Sequence, residues 1–266
     1  MTVKSMLKKP VKGILQRFML YGRFDYLQEI YWSQVYHDTI RDSEWLQDKA
    51  VSPGRAAVGY NFLYVLYRAL NAMHPSSILE LGLGQSTKVV SQYARFFEVE
   101  HIVVDHDQNW ADFFRADNER LLGGTDIRVL PLDICPTNGG EKKLADINLF
   151  AGNVDLSGDY YYAYHGFAEA MRGRRFSFIL IDAPFGWINP THARRDILPL
   201  LPDILEDDFV ILLDDAGRRG EQHTLADIKE ILMANQIDFA EAIYPGASKK
   251  ECWICASKNW KFLTTV

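Results

Sequence analysis

Three carboxylates at the ends of two apolar runs are the residues of this sequence best placed for chemistry. The run FSFILI precedes Asp182, and the run FVILL precedes Asp214 and Asp215. Because open α/β sheets bind ligands at the carboxyl ends of their strands, we expect these three side chains to converge there. Two or three carboxylate oxygens around one point suit Mg²⁺ completed by water and substrate. Such an ion would bind adjacent hydroxyl groups and lower the pKa of the one that reacts.

The second candidate site is the glycine turn in residues 77–90, SILELGLGQSTKVV. An apolar run, two glycines spaced by one residue and a helix-forming stretch predict a strand that enters a helix through a tight turn. Gly82 and Gly84 would let a ligand lie against the main chain, and the helix start offers unpaired N–H groups. A dinucleotide site would place a glycine at position 87, where this chain has Thr87. Glu80, ahead of the first glycine, favours a cationic cofactor instead.

The ELGLG stretch at residues 80–84 resembles the first motif of class I S-adenosylmethionine-dependent methyltransferases. Twenty-one residues after Gly84, the run HIVVD ends on Asp105, the distance at which a βαβ unit delivers an acid to ribose hydroxyls. A third run, IRVLPLDI, ends near Asp133, which the resemblance places beside the adenine. The expected cofactor is therefore S-adenosylmethionine, with candidate contacts at Glu80, Gly82, Gly84, Gln85, Ser86, Asp105 and Asp133.

The elements that position these residues form an α/β sheet. Five apolar runs each stop on or near a carboxylate, although an acid after a strand is also a common helix N-cap. The last two runs, IDFAEAIY and ECWICAS, flank the turn-rich PGASKK and predict a hairpin. The resemblance implies a Rossmann-like class I methyltransferase fold: a seven-stranded, mostly parallel sheet in the order 3-2-1-4-5-7-6, with a C-terminal antiparallel hairpin and N-terminal helices. We expect Cys252 and Cys255, three apart in the last strand, to be buried on opposite faces.

The chain divides into a basic N-terminal helical extension, residues 1–55, and a methyltransferase-like domain, residues 56–266. Before Asp25 there are six basic residues and no acid. Because the net charge of the whole chain is −6, the rest of the chain has a net charge of −12. This arm predicts either an amphipathic helix on an anionic membrane surface or a packed first helix. Gly54 and Arg55, in the turn between two helical patterns, are candidates for contact with the methionine carboxylate of the cofactor.

Composition indicates a soluble protein of a reducing compartment. No run approaches the eighteen apolar residues that a membrane span needs, and three cysteines in 266 residues argue against a disulfide scaffold. The acidic body would repel nucleic acid. We therefore expect a cytoplasmic protein, with peripheral contact at the inner membrane face through its basic arm.

The proton acceptor is left open by the sequence. The three carboxylates resemble the metal site of catechol-type and macrolide-sugar O-methyltransferases, but the catechol-type lysine base is missing from Asp182-Ala183-Pro184-Phe185-Gly186-Trp187. Asp182 itself, His192 or His223 are the candidate catalytic groups, and each histidine also suits a surface or capping role.

The substrate that would accept the methyl group is inferred from the residues after the fourth strand and from two further segments. The stretch DAPFG resembles the Asp-Ala-Pro-x-Gly of glucuronoxylan-type sugar O-methyltransferases. The segments SILELGLGQSTK and LLDDAGRRGEQ are similar to uncharacterised proteins of bacterial surface-polysaccharide clusters. These resemblances imply an O-methyltransferase that acts on a sugar or another small hydroxylated molecule, with a role in surface-polysaccharide biosynthesis. The alternative is a non-catalytic member of the fold that binds the cofactor or a partner, and a dehydrogenase is disfavoured by Thr87.

Overall fold

The computed structural model describes residues 26–52, 57–145, 159–247 and 250–265. Its α-helices are α1 (residues 26–39), α2 (Tyr60–Met73), α3 (Gln85–Phe97), α4 (Gln108–Asn118), α5 (Phe167–Ala170) and α6 (Arg219–Ala234), and two short 3-10 helices span Leu198–Leu200 and Lys258–Thr264. Its strands are β1 (Ser77–Leu81), β2 (Glu100–Asp105), β3 (Thr125–Val129), β4 (Leu132–Pro136), β5 (Lys143–Leu144), β6 (Tyr160–Tyr164), β7 (Phe176–Ile181), β8 (Leu205–Leu213), β9 (Phe239–Tyr244) and β10 (Cys252–Ser257).

Seven of these strands form one sheet in the order β3-β2-β1-β7-β8-β10-β9. Neighbouring strands from β3 to β8 are parallel, and β10 runs antiparallel to both β8 and β9. Numbered as the strands of this sheet alone, the order is 3-2-1-4-5-7-6. The predicted Rossmann-like class I methyltransferase fold is confirmed, including the C-terminal antiparallel hairpin.

The strands β1, β7 and β10 in the interior of the sheet are buried along their whole length, which explains why they are nearly continuous apolar runs. Along β1, Ile78 belongs to one hydrophobic cluster and its neighbours Leu79 and Leu81 to the other, as alternation across a strand requires. The first cluster includes residues of α2 and α3, and the second includes residues of α6 and β6. Cys252 and Cys255 are buried in opposite clusters, as predicted.

A second, three-stranded antiparallel sheet, β5-β4-β6, was not predicted. It arises because the run IRVLPLDI is two strands: β3 ends at Val129, and β4 begins at Leu132 after Pro131. Proline has no N–H to donate to a ladder, so the chain leaves the main sheet there. The expectation that the third strand ends near Asp133 is therefore wrong, because Asp133 lies within β4, paired in register with Ala163.

The described part of the N-terminal extension packs on the sheet domain. Trp32 and Tyr36 of α1 are buried, and the Trp32 indole donates to the carbonyl of Pro245 at 2.6 Å. Trp45 stacks on Tyr67 of α2 at a centroid distance of 5.0 Å. The basic arm before Asp25, and Gly54 and Arg55, lie outside the described residues. Among the described helices, none combines the length and the apolar character that crossing a bilayer would require.

Candidate functional site

The two glycines of the turn have different structural roles. Gly82 has φ +109°, and a Cβ added there would lie 3.0 Å from the Cβ of Ala183, so the turn itself requires glycine. Gly84 donates its N–H to Thr87 Oγ1 at 2.9 Å, which caps α3. A Cβ added at Gly84 would meet nothing within 4 Å. Gly82 is thus needed for the backbone, and Gly84 keeps a space open.

Glu80 and Ser86 lie beneath the turn. The Ser86 hydroxyl donates to Glu80 Oε1 at 2.5 Å, and Glu80 Oε2 lies 3.1 Å from His101 Nε2. All three side chains are buried. This chain of contacts ties the start of α3 to β1 and β2, and neither Glu80 nor Ser86 is among the residues that line the cavity described below.

Asp105 holds the turn from the end of β2. Its Oδ2 accepts the N–H of Leu83 at 2.8 Å, and its Oδ1 accepts the N–H groups of His106 at 2.7 Å and Asp107 at 3.0 Å. A carboxylate has about four acceptor sites, so these bonds leave room for one further donor. Asp105 also borders the cavity, where a ligand hydroxyl could reach it.

One cavity of about 930 Å³ joins the predicted cofactor residues to the three carboxylates. Clefts of this size hold small-molecule ligands and cofactors. Its lining includes the predicted residues Gly82, Gly84, Gln85, Asp105, Asp182, Asp214 and Asp215. It also includes residues that were not predicted to have a role, among them His106, Trp110, Phe185, Trp187, Arg194 and Arg218.

The three carboxylates converge as predicted. Each of Asp182, Asp214 and Asp215 offers an oxygen, and these atoms all lie within 4.8 Å of one another. The sheet positions them: Asp182 donates its N–H to Leu81 at 2.9 Å, and Asp214 donates to Ile181 at 3.0 Å. Parallel pairing therefore aligns the ends of β1, β7 and β8 at one edge.

Arg194 is the residue that the sequence analysis missed. Its side chain is only 4% exposed, and its Nη2 lies 3.1 Å from Asp182 Oδ1 and 3.0 Å from Asp215 Oδ2. Its Nη1 donates to the main-chain carbonyl of Asp214 at 2.9 Å. A guanidinium therefore binds two of the three candidate metal ligands. Nothing in the local pattern distinguishes Arg194 from its neighbour Arg195, because only the tertiary fold brings it to the strand ends.

Burial and charge set the protonation of this cluster. Burial raises the pKa of Asp182 to about 6, against the lowering effect of Arg194. The pKa of Asp214 is raised well above its usual value by burial and by Asp182 and Asp215. Burial also raises the pKa of Glu221, beneath Arg194, to about 7. Burial alone would lower the pKa of Arg194, but the surrounding carboxylates reverse this and keep it charged.

The three carboxylates are suitable ligands for Mg²⁺, but the positive charge of Arg194 beside them opposes binding of the ion. Three carboxylates could ligate the ion, and Asp214 Oδ1 has no hydrogen-bond partner within the described residues. Asp182 and Asp215, however, already share the positive charge of Arg194. A divalent ion would have to displace this buried side chain or lie beside a like charge, which is strongly repulsive away from water. The arrangement does not fit Mg²⁺ while Arg194 holds its place.

The remaining candidate residues lie away from the cavity lining. Asp133 pairs with His165 Nδ1 at 3.0 Å in the second sheet. His192 stacks on Tyr161 at a centroid distance of 5.2 Å, and burial lowers its pKa. His223 is exposed on α6. The structure thus separates Asp133, His192 and His223 from the Asp182 end of the cavity.

No protein-family model and no curated protein sequence matches the chain. Among solved structures, an O-methyltransferase from Bacillus cereus in complex with SAH is 16% identical, with 87% of this chain and 90% of that chain covered, at a TM-score of 0.45. The O-methyltransferase TomG from Streptomyces achromogenes is 12% identical, with 89% and 98% covered, at 0.49. A putative O-methyltransferase from Klebsiella pneumoniae is 12% identical, with 90% and 99% covered, at 0.47. At this level of similarity the fold assignment rests on the strand order of the sheet itself.

Proposed function

We propose that this chain is an S-adenosylmethionine-dependent O-methyltransferase that acts on a sugar or another small hydroxylated acceptor. One observation supports this above the others: a single cavity contains both the glycine turn with Asp105 and the carboxylates at the ends of β7 and β8. Methyl transfer needs a cofactor and a hydroxyl held in line, beside a group that accepts a proton. A non-catalytic binder of the same cofactor would not need the second half of this cavity.

The cofactor half fits S-adenosylmethionine. Gly84 leaves open space where its main chain borders the cavity, and Asp105 retains acceptor capacity for a ribose hydroxyl. The acidic edge formed by Asp182 and Asp214 favours a ligand with a positive charge. S-adenosylmethionine, when bound, supplies an electrophilic methyl group for displacement by the acceptor oxygen.

Asp182 is the proposed proton acceptor. All three carboxylates line the cavity, but the Asp182 side chain is 26% exposed, whereas Asp214 and Asp215 are buried. A pKa of about 6 leaves Asp182 ionised at neutral pH yet more basic than an ordinary aspartate, which suits general-base catalysis near that pH. His192 and His223, the alternatives that the sequence left open, do not border the cavity.

The acceptor half has an aromatic wall. Phe185 and Trp187 line the cavity beside Asp182, their rings 6.5 Å apart, and Trp187 is 57% exposed. An aromatic face next to a carboxylate suits a sugar, whose C–H groups can pack on the ring while a hydroxyl reaches the acid. This supports the sugar acceptor, and through it the role in surface-polysaccharide biosynthesis that the sequence resemblance implies.

We also propose that the chain contacts the inner face of a membrane. Residues 1–24 contain six basic residues and no acid. Directly after them, α1 exposes four large apolar side chains on one side, those of Tyr26, Leu27, Ile30 and Tyr31. Basic charge beside exposed apolar side chains is complementary to an anionic lipid surface.

Calorimetry tests the cofactor assignment. The purified full chain is titrated with S-adenosylmethionine, with its demethylated product and with NAD. We expect binding of the first two only. Transfer of radiolabel from methyl-labelled S-adenosylmethionine is then measured with a panel of hexoses, deoxyhexoses and catechols. Binding of NAD alone would overturn the proposed cofactor, and cofactor binding with no transfer to any hydroxylated acceptor would favour the non-catalytic alternative.

A further inference from the structure

Two glycines, Gly186 and Gly220, let the segment that carries Arg194 pack closely against the start of α6. A Cβ added at Gly186 would lie 1.8 Å from Glu221 Oε1 and 3.1 Å from Arg194 Nε. A Cβ added at Gly220 would lie 2.6 Å from the carbonyl oxygen of Asn189. Both glycines therefore allow the strap after β7, residues 183–197, to press against the start of α6. Without that approach Arg194 could not reach the strand ends.

The backbone at Arg194 is held in a costly conformation. Arg194 has φ 53° and Asp215 has φ 60°, both in the left-handed region that residues other than glycine seldom adopt. Thr224 of α6 donates its hydroxyl to the carbonyl of Ala193, directly before Arg194. Such conformations persist when the surrounding structure over-determines them, and they cluster at functional sites.

Arg194 offsets part of the negative charge of the carboxylate cluster. Asp182, Asp214, Asp215 and Glu221 face Arg194 and Arg218. Lys250, which also lines the cavity, is a third cation that lowers the pKa of Asp182. Arg218 Nη1 lies 2.7 Å from Asp215 Oδ2, so this carboxylate bridges both guanidinium groups. Removing one partner from a buried ion pair leaves an uncompensated charge. Arg194 thus supplies, from within the chain, the positive charge that a metal would bring.

We propose that Arg194 is the permanent cation of this carboxylate cluster, that it excludes divalent metal ions, and that it is a positioning residue for Asp182. The assignment of Asp182 as proton acceptor rests on the proposed function. The exclusion of metal rests only on the contacts of Arg194. The carboxylates that the sequence predicts to bind Mg²⁺ are instead an arginine site.

Binding of Mn²⁺, followed by electron paramagnetic resonance on the full chain, tests the exclusion. At millimolar Mn²⁺ we expect no ion bound to this cluster in the wild type or in Arg194→Lys, which keeps the charge. We expect Arg194→Met to bind about one ion per chain, and the double variant Arg194→Met with Asp214→Asn to lose it. Wild-type binding that Asp214→Asn abolishes would overturn the proposal. The wild-type result decides this point even if Arg194→Met fails to fold.

The pH profile of methyl transfer tests the positioning role. An opposite charge at this distance lowers the pKa of a carboxylate by 1 to 3 units as a rule, so loss of the guanidinium should move the acidic limb of kcat upward by roughly one pH unit or more. Arg194→Lys should restore most of the profile. If the acidic limb of the kcat profile of Arg194→Met lies at the same pH as in the wild type, the positioning role is overturned. If the proposed function itself is wrong, the wild type will not bind S-adenosylmethionine. That result differs from both outcomes of the pH experiment, since each of them is measured on protein that binds the cofactor.

Discussion

Arg194 Nη2 and Asp215 Oδ2 lie 3.0 Å apart, and both residues have left-handed backbone conformations. One residue belongs to the strap after β7 and the other follows β8, so their contact joins two strand ends across the mouth of the sheet. The acceptor side of the cavity is thereby fixed by side chains and not only by the parallel ladder.

Replacing Asp182 with Asn should lower kcat for methyl transfer far more than it weakens S-adenosylmethionine binding. The amide can still accept from Arg194 but cannot take a proton from the acceptor, and general-base catalysis contributes about 10²- to 10⁴-fold. The measurement is kcat under saturating S-adenosylmethionine, with calorimetry on the same variant. His192→Gln and His223→Gln are the matched controls and should retain wild-type kcat. A loss of kcat in either histidine variant, with Asp182→Asn unaffected, would reassign the base.

Side chains of increasing size at Gly84 should block the cofactor without unfolding the chain. Its φ of −168° suits any residue, and a Cβ there meets open space. We therefore expect Gly84→Ala and Gly84→Val to weaken S-adenosylmethionine binding in that order, at nearly constant free energy of unfolding. Gly186→Ala is the contrasting variant: its Cβ would overlap Glu221, and overpacking costs about 1 to 3 kcal/mol. Equal affinity in wild type and Gly84→Val would remove the turn from the cofactor site.

Asp105→Asn should weaken S-adenosylmethionine binding by about tenfold to a hundredfold, because a hydrogen bond to a charged group is worth roughly 1.5 to 3 kcal/mol. The control is Asp107→Asn, since Asp107 caps α4 through Trp110 and asparagine caps a helix as well as aspartate does. Calorimetry gives the affinity of both variants, and chemical denaturation shows whether the turn survives. Equal affinities for the two variants would contradict a ribose contact at Asp105.

Much of this site could be predicted from local sequence, and the rest could not for identifiable reasons. Strand-end carboxylates and the glycine turn are local signals, so Asp182 and Gly84 were found. Arg194 lies in an irregular strap with no periodicity, and its partners are set by tertiary contacts. Glu80 accepts a buried hydrogen bond from the Ser86 hydroxyl, and no local pattern distinguishes this structural role from ligand binding. Pro131 was a visible break in the third run, and its consequence for Asp133 was missed.

Anionic vesicles should bind the full chain through its N-terminus. Each lysine near an anionic surface contributes about 1 kcal/mol, so Lys8→Gln with Lys9→Gln should weaken binding to phosphatidylglycerol vesicles roughly thirtyfold. Ile30→Gln on α1 should weaken it further, whereas Met233→Gln, which also removes an exposed apolar side chain, should not. Co-sedimentation with phosphatidylglycerol and with phosphatidylcholine vesicles measures this. Equal binding to both lipids, or none to either, would contradict the membrane contact.

The stability of the fold should decrease between about pH 4 and pH 7 through Asp196. Burial raises the pKa of this carboxyl to about 7, and its Oδ1 accepts the N–H of Tyr164 at 2.6 Å while Oδ2 has no hydrogen-bond partner among the described residues. An acid whose pKa is higher in the folded state favours folding only while protonated, so its contribution is complete below the unfolded value of 3.8 and is lost as pH rises to 7. The loss attributable to this group is on the order of a few kcal/mol.

Urea denaturation of the wild type and of Asp196→Asn at several pH values from 4 to 8 isolates this effect. The amide keeps an acceptor for Tyr164 and does not ionise, so the variant should lose the part of the pH dependence that belongs to Asp196. Glu221, whose pKa burial raises to about 7, adds a decline of the same sign, and the difference between the two proteins cancels it. Asp203→Asn, at an exposed aspartate, is the matched control and should keep the wild-type profile. Parallel pH profiles for wild type and Asp196→Asn would show that Asp196 is already ionised in the folded protein.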